Sequence, residues 1–195
     1  GSYNVAFGYQ SLYTNTTASN NTAVGRSALT ANTTGYGNTA LGDRALSLTT
    51  TGNNNIGIGE YAQSSTAGAN GECTLGSTNI TNLRCNDQSI ASLSDARDKT
   101  EIVDSSYGLA FINTVRPRQF KWATRDGNIK DGTIRLGFTA QELLTACNGN
   151  NNVLDLVLES NSEKLEAKYS NLIPILTKAI QELSAKNDAL EARIT

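Results

Sequence analysis

A glycine recurs every 17 residues in the first part of the chain, and this period constrains the fold more than any other feature of the sequence. A fixed period of this length is typical of repeat proteins, in which each repeat packs only against its neighbours. We therefore predict a stack of similar coils over residues 1–76, because one coil alone buries very little surface. Each of these glycines ends a similar five-residue phrase, and they are Gly8, Gly25, Gly42, Gly59 and Gly76.

Large and small apolar residues alternate within each phrase, as in Ala23-Val24-Gly25. This period of two predicts a short strand with the large residues on one face and Ala and Gly on the other. A second apolar pair such as Ala28-Leu29 follows about four residues later, and then a stretch rich in Asn, Thr and Gly. The pattern predicts two strands and two tight turns per coil, which together describe a β-roll.

The Ala and Gly face is expected to be a packing surface, because small residues in register let another backbone approach closely. We predict that it packs laterally against copies of the same chain. Residues 4 to about 76 resemble the heads of trimeric surface adhesins, whose β-rolls carry similar A-x-G phrases. The resemblance implies a homotrimer. A monomeric solenoid, in which Ala and Gly only fill tight corners, is the alternative.

Charge and composition exclude several function classes. The net charge of -2 gives no reason to expect a nucleic-acid or anionic-membrane partner, and no apolar run is long enough to span a membrane. The three cysteines form no CxxC pair and histidine is absent, so we expect no metal and no cofactor. Without histidine, Ser-His-Asp and Cys-His mechanisms are excluded. The repeat begins directly after Gly1-Ser2, so we expect the natural protein to extend further at this end.

The composition changes after Gly76. Residues 77–93 are polar with isolated apolar residues, which predicts an extended neck. From residue 94 the charge density rises, and residues 94–170 are predicted to form a small α+β domain. Its predicted elements are a helix at 107–115 capped by Asp104 or Ser105, strands at 119–123 and 133–139 around a turn, a helix at 140–147, and strands at 153–158 and 165–169.

Residues 171–195 are predicted to form a helix for trimerisation, because apolar residues recur in steps of four and three. Ile at a and Leu at d favour two parallel strands, whereas the roll favours three chains, and we expect a trimer. An amphipathic helix docked on its own domain is the alternative. The a positions are Ile173, Ile180, Asn187 and Ile194, and the d positions are Tyr169, Leu176, Leu183 and Leu190.

The candidate chemistry lies in the phrase S-D-A-R-D-K at residues 94–99. A serine hydroxyl becomes a strong nucleophile when a base removes its proton, and Lys99 is the titratable basic side chain nearby. A lysine acts as a base only after desolvation has favoured its neutral form. On a straight helix, five residues turn about 500° and leave Lys99 about 140° around from Ser94. Spacing alone therefore favours an N-cap serine followed by solvated charges.

The phrases that follow support a different interpretation. E-I-V-D comes next, then L-A-F-I-N-T-V-R-P-R-Q-F-K-W, G-F-T-A-Q-E-L, Y-S-N-L-I-P-I-L and A-I-Q-E-L. This ordered series, from about residue 94 to 194, resembles the C-terminal intramolecular chaperone domain of endosialidase-type phage tail spikes and fibres. Myelin regulatory factor carries a related domain. In that family the domain trimerises, templates folding of the upstream β-rich fibre, and then cuts itself off.

The resemblance implies a Ser-Lys dyad that cleaves the bond preceding the serine. Carried over by position, Ser94 is the nucleophile, Lys99 is the base, and Leu93–Ser94 is the scissile bond. Asp95 and Arg97 also match the family phrase and are expected to orient the dyad at most.

One residue departs from the family phrase. Asp98 stands where relatives often have leucine, and an acid beside the lysine favours the charged amine, so we expect slower cleavage. A sugar-cutting site has little support, because Glu101 and Glu142 are isolated acids.

The resemblance therefore implies the C-terminal part of a virion tail fibre or spike that acts as an autoproteolytic serine endopeptidase. Its chaperone domain would be released in the host cytoplasm after assembly. The expected partners are two further copies of the chain and a host-surface receptor contacted by the fibre. The alternative is a non-cleaving trimeric fibre or adhesin tip, whose permanent cap domain binds a receptor.

Overall fold

The computed structural model describes residues 1–80, 82–84, 86, 94–123 and 132–194. The chain divides into two compact units, Gly1–Arg84 with Ser160–Lys164, and Cys85–Glu159 with Leu165–Thr195. Among the described residues, no helix combines the length and apolar character needed to cross a membrane. The predicted domain limits after residues 76, 93 and 170 stay predictions.

The first unit is a β-solenoid with one short strand in each coil, and its five strands form a parallel sheet. Each strand residue pairs with the residue 17 positions further along, so that Ala6 pairs with Ala23 and Ala23 with Ala40. The predicted roll of 17-residue coils is confirmed. The strands are β1 Val5–Phe7, β2 Thr22–Val24, β3 Thr39–Leu41, β4 Ile56–Ile58 and β5 Cys73–Leu75.

The small residues of the strands point into the coil. Ala23 and Ala40 are fully buried, and a Cβ added to Gly57 would lie 2.6 Å from the Cγ of Leu46. The prediction that this face packs against other copies is therefore wrong. Small residues are needed here because the opposite wall of the same coil passes close to the strand.

The large apolar residues of the strands point outward. Phe7 is 75% exposed, Leu75 54% and Leu41 49%. Their neighbours Ile56 and Ile58 also face solvent. The outer sheet face, which we define as Val5, Phe7, Val24, Leu41, Ile56, Ile58 and Leu75, is thus a mainly apolar surface that carries no charge. Thr22, Thr39 and Cys73 occupy the remaining outward positions of the strands.

The second apolar pair of each coil forms a turn, so the predicted second strand is wrong. Leu29 and Leu46 at these positions are fully buried, and both have a left-handed backbone with φ near 50°. Their side chains complete the interior opposite the alanines. Burial at this position therefore comes from a tight corner, which explains why an apolar pair looked like a strand.

Buried asparagines bridge successive coils. The Oδ1 atom of Asn21 accepts a hydrogen bond from the N–H of Asn38 at 2.9 Å, and Asn38 accepts from Asn55 at 2.9 Å. Asn38 also donates through Nδ2 to the carbonyl of Gly52 at 2.8 Å. At the last coil Glu72 takes this position and donates its N–H to Asn55. These asparagine side chains provide hydrogen-bond partners for backbone N–H and carbonyl groups that are not paired within the sheet.

We expect Asn38→Ala to destabilise the solenoid by about 3 kcal/mol, because it leaves the Gly52 carbonyl and the Asn55 N–H buried without partners. Urea denaturation followed by circular dichroism measures this change. Asn53→Ala is the matched control, since the hydrogen bonds of Asn53 are exposed, and it should cost less than about 1 kcal/mol. Equal losses for the two variants would contradict the role of buried amides.

The second unit contains four helices and two small antiparallel sheets in its described residues. The predicted helix at 140–147 is confirmed, and the predicted helix at 107–115 is limited to Leu109–Ile112. The strands predicted at 119–123, 133–139 and 165–169 are confirmed but shorter than expected. The strand predicted at 153–158 is wrong in its first part, because residues 153–154 belong to a helix and only Val157–Leu158 form a strand. The turn signals near residues 126 and 131 lie outside the described residues. The elements are α1 Leu109–Ile112, β6 Arg118–Phe120, β7 Arg135–Gly137, α2 Ala140–Cys147, α3 Asn151–Leu154, β8 Val157–Leu158, β9 Glu166–Ala167 and α4 Leu172–Ile194.

The core of this unit joins α2, α3, β8 and the first turns of α4. Leu156 is fully buried, and Leu143 is 1% exposed. Tyr107 and Phe111 cover this core from the side of α1 and contact each other edge to face. The remaining core residues are Ala140, Cys147, Leu154, Val157, Leu172 and Ile175.

Helix α4 has two apolar faces with different environments. Leu172, Ile175 and Ala179 are buried against the rest of the unit, as the docked alternative predicts. The heptad residues lie on another face, where Ile180 is 67% exposed and Leu183 is 56% exposed. The helix is therefore docked on its own unit and still presents its heptad seam to solvent.

The start of α1 differs from the prediction of an Asp104 or Ser105 cap. Gly108 occupies the N-cap position, and the Leu109 N–H donates to Oε2 of Glu182 on α4 at 2.8 Å. A Cβ on Gly108 would come within 2.6 Å of the same carboxylate. Glu182 thus joins α1 to α4, and its carboxylate would have to move to make room for a side chain at position 108.

Candidate active site

Residues 94–99 form a tight turn instead of a regular helix. Ala96–Asp98 make a single 3₁₀ turn, and Asp95 is its N-cap. The Arg97 N–H donates to Oδ1 of Asp95 at 2.9 Å, which satisfies one of the free donors at the helix start. Lys99 then leaves the turn with extended backbone angles, φ -126° and ψ 147°. The straight helix that would separate Ser94 from Lys99 does not form.

The turn brings the serine and the lysine into contact. Nζ of Lys99 lies 2.5 Å from Oγ of Ser94, a short hydrogen-bond distance. The same amine also donates to the backbone carbonyl of Ser94 at 3.4 Å. A hydroxyl and an amine at this separation can exchange a proton directly, which is the contact that a nucleophile and its base require.

Asp95 and Arg97 support the turn through an ion pair. The Arg97 guanidinium donates to both carboxylate oxygens of Asp95, with Nη2 at 2.5 Å from Oδ2. These hydrogen bonds lower the pKa of Asp95 and raise the pKa of Arg97. Because both side chains are exposed, the pair contributes little to stability. The pair lies within the turn that connects the serine to the lysine.

The whole segment 94–99 is exposed in the single chain. The sequence predicts a desolvated lysine, whereas no described residue covers Lys99 here. The single chain therefore shows an aligned pair without the burial that a neutral amine requires. Leu93, on the other side of the expected scissile bond, lies outside the described residues.

A second charged cluster connects β6 to the start of α2. Arg118 forms an ion pair with Glu142 through Nε and Nη2, and Glu142 also accepts from the hydroxyl of Thr139 at 2.8 Å. The Arg118 hydrogen bonds, followed by that of Thr139, lower the pKa of Glu142 to about 2. Thr139 is the N-cap of α2, so the cluster is structural, as expected for an acid without a partner carboxylate.

The lowered pKa of Glu142 predicts a pH-dependent contribution to stability. The carboxylate stabilises the folded unit at pH values above about 4.5, its unfolded pKa, and this contribution disappears as the pH falls towards about 2. Urea denaturation at pH 7 and pH 3 should show a smaller loss on acidification for Glu142→Gln than for the wild type. Glu166→Gln, which changes an exposed acid of β9, serves as the control. Identical acid losses in all three proteins would contradict the assignment.

The fold and this site together define a class of protein, a repeat solenoid followed by an α+β unit that presents a serine hydroxyl to a lysine amine. Residues 94–153 match the family model Peptidase_S74, described as the chaperone of endosialidase. The match begins at Ser94 and confirms, for this segment, the resemblance found in the sequence. Residues 94–153 are thus similar to the chaperone of endosialidase. No curated protein and no solved structure gives a significant match to the chain.

Two structural features of functional interest were not predicted from the sequence. One is the outer sheet face, because the sequence led us to expect packing against other copies on the Ala and Gly face instead. The other is the Glu182 contact with α1, which joins residues 73 positions apart. The sequence shows only that Glu182 is a charged residue in a predicted helix. Such a residue usually lies on a solvated surface.

Proposed function

We propose that residues 94–195 are a self-associating intramolecular chaperone for the solenoid of a virion tail fibre or spike. We further propose that this region cuts itself from the solenoid at the Leu93–Ser94 bond. The observation that carries the proposal is the 2.5 Å contact between Lys99 and Ser94. It occurs at the first residue of the segment that matches the chaperone-of-endosialidase family.

The proposed cleavage needs only groups of the chain and water. The neutral amine of Lys99 takes the hydroxyl proton as Oγ of Ser94 attacks the Leu93 carbonyl carbon. The C–N bond then breaks, the Ser94 nitrogen takes a proton from the lysine, and an ester links the Leu93 carbonyl to Oγ. Water hydrolyses this ester and leaves a carboxylate on Leu93 and a free amine on Ser94. Attack on the bond of a neighbouring chain would give an acyl-enzyme instead.

Assembly supplies the activation that the single chain lacks. When three chains associate, neighbouring copies cover the exposed segment 94–99 and remove water from the amine of Lys99. Loss of water favours the neutral amine, which is the form that accepts the serine proton. Cleavage thus follows assembly, and the solenoid that remains cannot refold on its template, so its stability becomes kinetic.

The outer sheet face is the surface through which the solenoids associate. It is mainly apolar, uncharged and repeated along the coils, and a charged partner would find no complement there. Contiguous exposed apolar surfaces of this kind mark interaction sites. A second copy offers the same surface with the same 17-residue spacing, so the two match along their whole length.

The heptad seam of α4 is the corresponding surface of the second unit. Ile173, Ile180 and Leu183 are more than half exposed, although the helix is docked on its own unit through another face. An a and d seam of this kind buries its residues against copies of itself. Association of the helices places the solenoids in the same register, which replaces a slow search among three chains by a local one.

The alternative function is a permanent cap on a trimeric fibre that binds a host-surface receptor. Asp98 and the solvent-exposed position of Lys99 favour it, since both keep the amine charged. The two alternatives differ in whether residues 94–195 remain covalently attached to the solenoid in mature particles, as a permanent cap would. The proposed chaperone is released into the host cytoplasm.

The chaperone proposal predicts that removal of residues 94–195 has opposite effects before and after assembly. Synthesis of residues 1–93 alone should give insoluble or unassembled repeats, whereas proteolytic removal of the region from the assembled protein should leave a soluble solenoid. Size-exclusion chromatography with light scattering measures both. Soluble assembled repeats from residues 1–93 alone would contradict the proposal.

A further inference from the structure

Left-handed backbone conformations recur in every coil of the solenoid, and many occur at residues other than glycine. Their φ values lie between 49° and 60°. They fall at equivalent positions in successive coils, and two sets contain neither Gly nor Asn. We define the corner residues as the first set, Gln10, Ser27, Arg44 and Tyr61, together with the second set, Leu12, Leu29 and Leu46.

These conformations are unfavourable for the side chains that adopt them. A left-handed L-residue brings its Cβ close to the following carbonyl oxygen, and only Gly, or Asn and Asp, adopt this region readily. A third left-handed position of the coil has Tyr3 in the first coil and then the favourable residues Asn20, Gly37, Asn54 and Gly71. The chain therefore has two corners per coil that local sequence does not favour.

From the second coil onward, the first set of corner residues is held by the preceding coil. The N–H of Ser27 donates to the carbonyl of Tyr9 at 2.8 Å, and the N–H of Arg44 donates to the carbonyl of Arg26 at 2.8 Å. These bonds join residues of different coils. An isolated coil has no carbonyl to offer at this position.

The second set is held by the following coil. The N–H of Leu29 donates to the carbonyl of Ala45 at 3.0 Å, and that of Leu46 donates to Ala62 at 2.8 Å. Both leucine side chains are fully buried in the interior. Each coil thus needs a neighbour on both sides before its corners are stabilised.

We propose that formation of the left-handed conformations at the corner residues limits the rate of solenoid folding. This is the step for which the solenoid needs the C-terminal region. The inference rests on the proposed chaperone function. A first coil must adopt its unfavourable corners before any neighbour exists, so nucleation is slow. Each later coil finds the carbonyls of a formed neighbour, and propagation is fast. A template that holds the chains in register accelerates this nucleation.

The test compares glycine with alanine at Gln10 and Ser27 in the full-length chain carrying Ser94→Ala, which keeps it in one piece. Both substitutions remove the side chain beyond Cβ, but only glycine removes the Cβ that makes the corner unfavourable. Pulse-labelling hydrogen exchange of residues 1–76 during refolding reports the solenoid alone. We expect the glycine variants to gain protection about fivefold faster per position than the alanine variants.

Arg26 provides the matched control, because it is exposed and adjacent to Ser27 but does not have a left-handed φ. At Arg26 the alanine variant should fold at least as fast as the glycine variant. Glycine at this position only makes the unfolded chain more flexible. Equal rates for glycine and alanine at Gln10 and Ser27 would overturn the inference. The inference would also be overturned if Arg26→Gly gained protection faster than Arg26→Ala by the same factor.

A second background separates this inference from the chaperone proposal. Leu156→Asp places a charge in the core of the second unit and disrupts it, while the solenoid sequence is unchanged. The glycine advantage at Ser27 should be larger in this background, because the template no longer assists the slow step. An advantage of unchanged size overturns the link between the corners and the template. Undiminished solenoid folding in Leu156→Asp itself overturns the chaperone proposal.

Discussion

Ser94→Ala and Lys99→Ala should each abolish self-cleavage, with a loss of at least ~10³-fold in rate. The first removes the nucleophile, and the second removes the amine that lies 2.5 Å from it. Freshly assembled wild-type protein should yield fragments 1–93 and 94–195 on a denaturing gel and by intact mass. Both variants should remain full length.

Two further substitutions define the role of the lysine. Lys99→Arg keeps the positive charge but cannot accept the serine proton, because a guanidinium stays protonated, so this variant should also remain uncut. Lys164→Ala removes an exposed lysine far from the turn in sequence and should be cut like the wild type. Cleavage of Lys99→Arg at the wild-type rate would show that the amine is not the base.

Because Lys99 contacts Ser94 of the same chain, we expect each chain to cut its own Leu93–Ser94 bond. When tagged Ser94→Ala chains are assembled together with wild-type chains, the tagged chains should stay intact while their partners are cut. Cleavage of the tagged chains would show attack on a neighbour's bond. If wild-type protein in assembled particles is itself uncut, the permanent-cap alternative replaces the cleavage proposal.

Leu41→Asp should weaken self-association of the assembled protein by at least ~100-fold. Leu41 lies on the outer sheet face and is 49% exposed, so the charge does not disturb the coil interior. In an assembly the carboxylate would be buried without a partner, at a cost of several kcal/mol. Analytical ultracentrifugation over a dilution series measures the effect.

Leu48→Asp is the control for this prediction. Leu48 is also an exposed leucine, 67% accessible, but lies outside the strands. It should leave association unchanged. Equal weakening by the two variants, or trimers that survive Leu41→Asp, would contradict the assignment of the outer sheet face as the interface.

Local patterns in the sequence predicted many of the elements. The 17-residue period located all five strands of the solenoid, since each phrase alternates in steps of two. The helix predicted at 140–147 is α2, and the structure shows that Thr139 and Glu142 complete its cap. The strands were located by exact periodicity, and α2 by contacts between near neighbours in the sequence.

Alternation could not say which face of the strand is inside. A period of two separates Ala23 and Ala40 from Leu41, but both faces are apolar. The width of the coil decides the question, because the wall that carries Leu46 leaves no room for large side chains. The same limit explains the missing second strand, where stacking holds Leu29 in a left-handed corner.

The candidate dyad was placed by resemblance and not by spacing. Five residues on a helix would separate Ser94 from Lys99, and the sequence does not reveal that the turn ends after Asp98. The Asp95 cap and the extended backbone at Lys99 bring the two side chains together. The sequence predicted Ser94 as the N-cap, which is wrong, since Asp95 caps the turn, and the length of the turn was not predicted either.

The order of residues alone determined the repeat, the position of its strands and the heptad of the last helix, because each depends on contacts between near neighbours or on exact periodicity. The tertiary structure decided which strand face is buried, which face of α4 docks on its own unit, and that Glu182 caps α1. These depend on the distance between walls and on residues far apart in the chain, which no local pattern records.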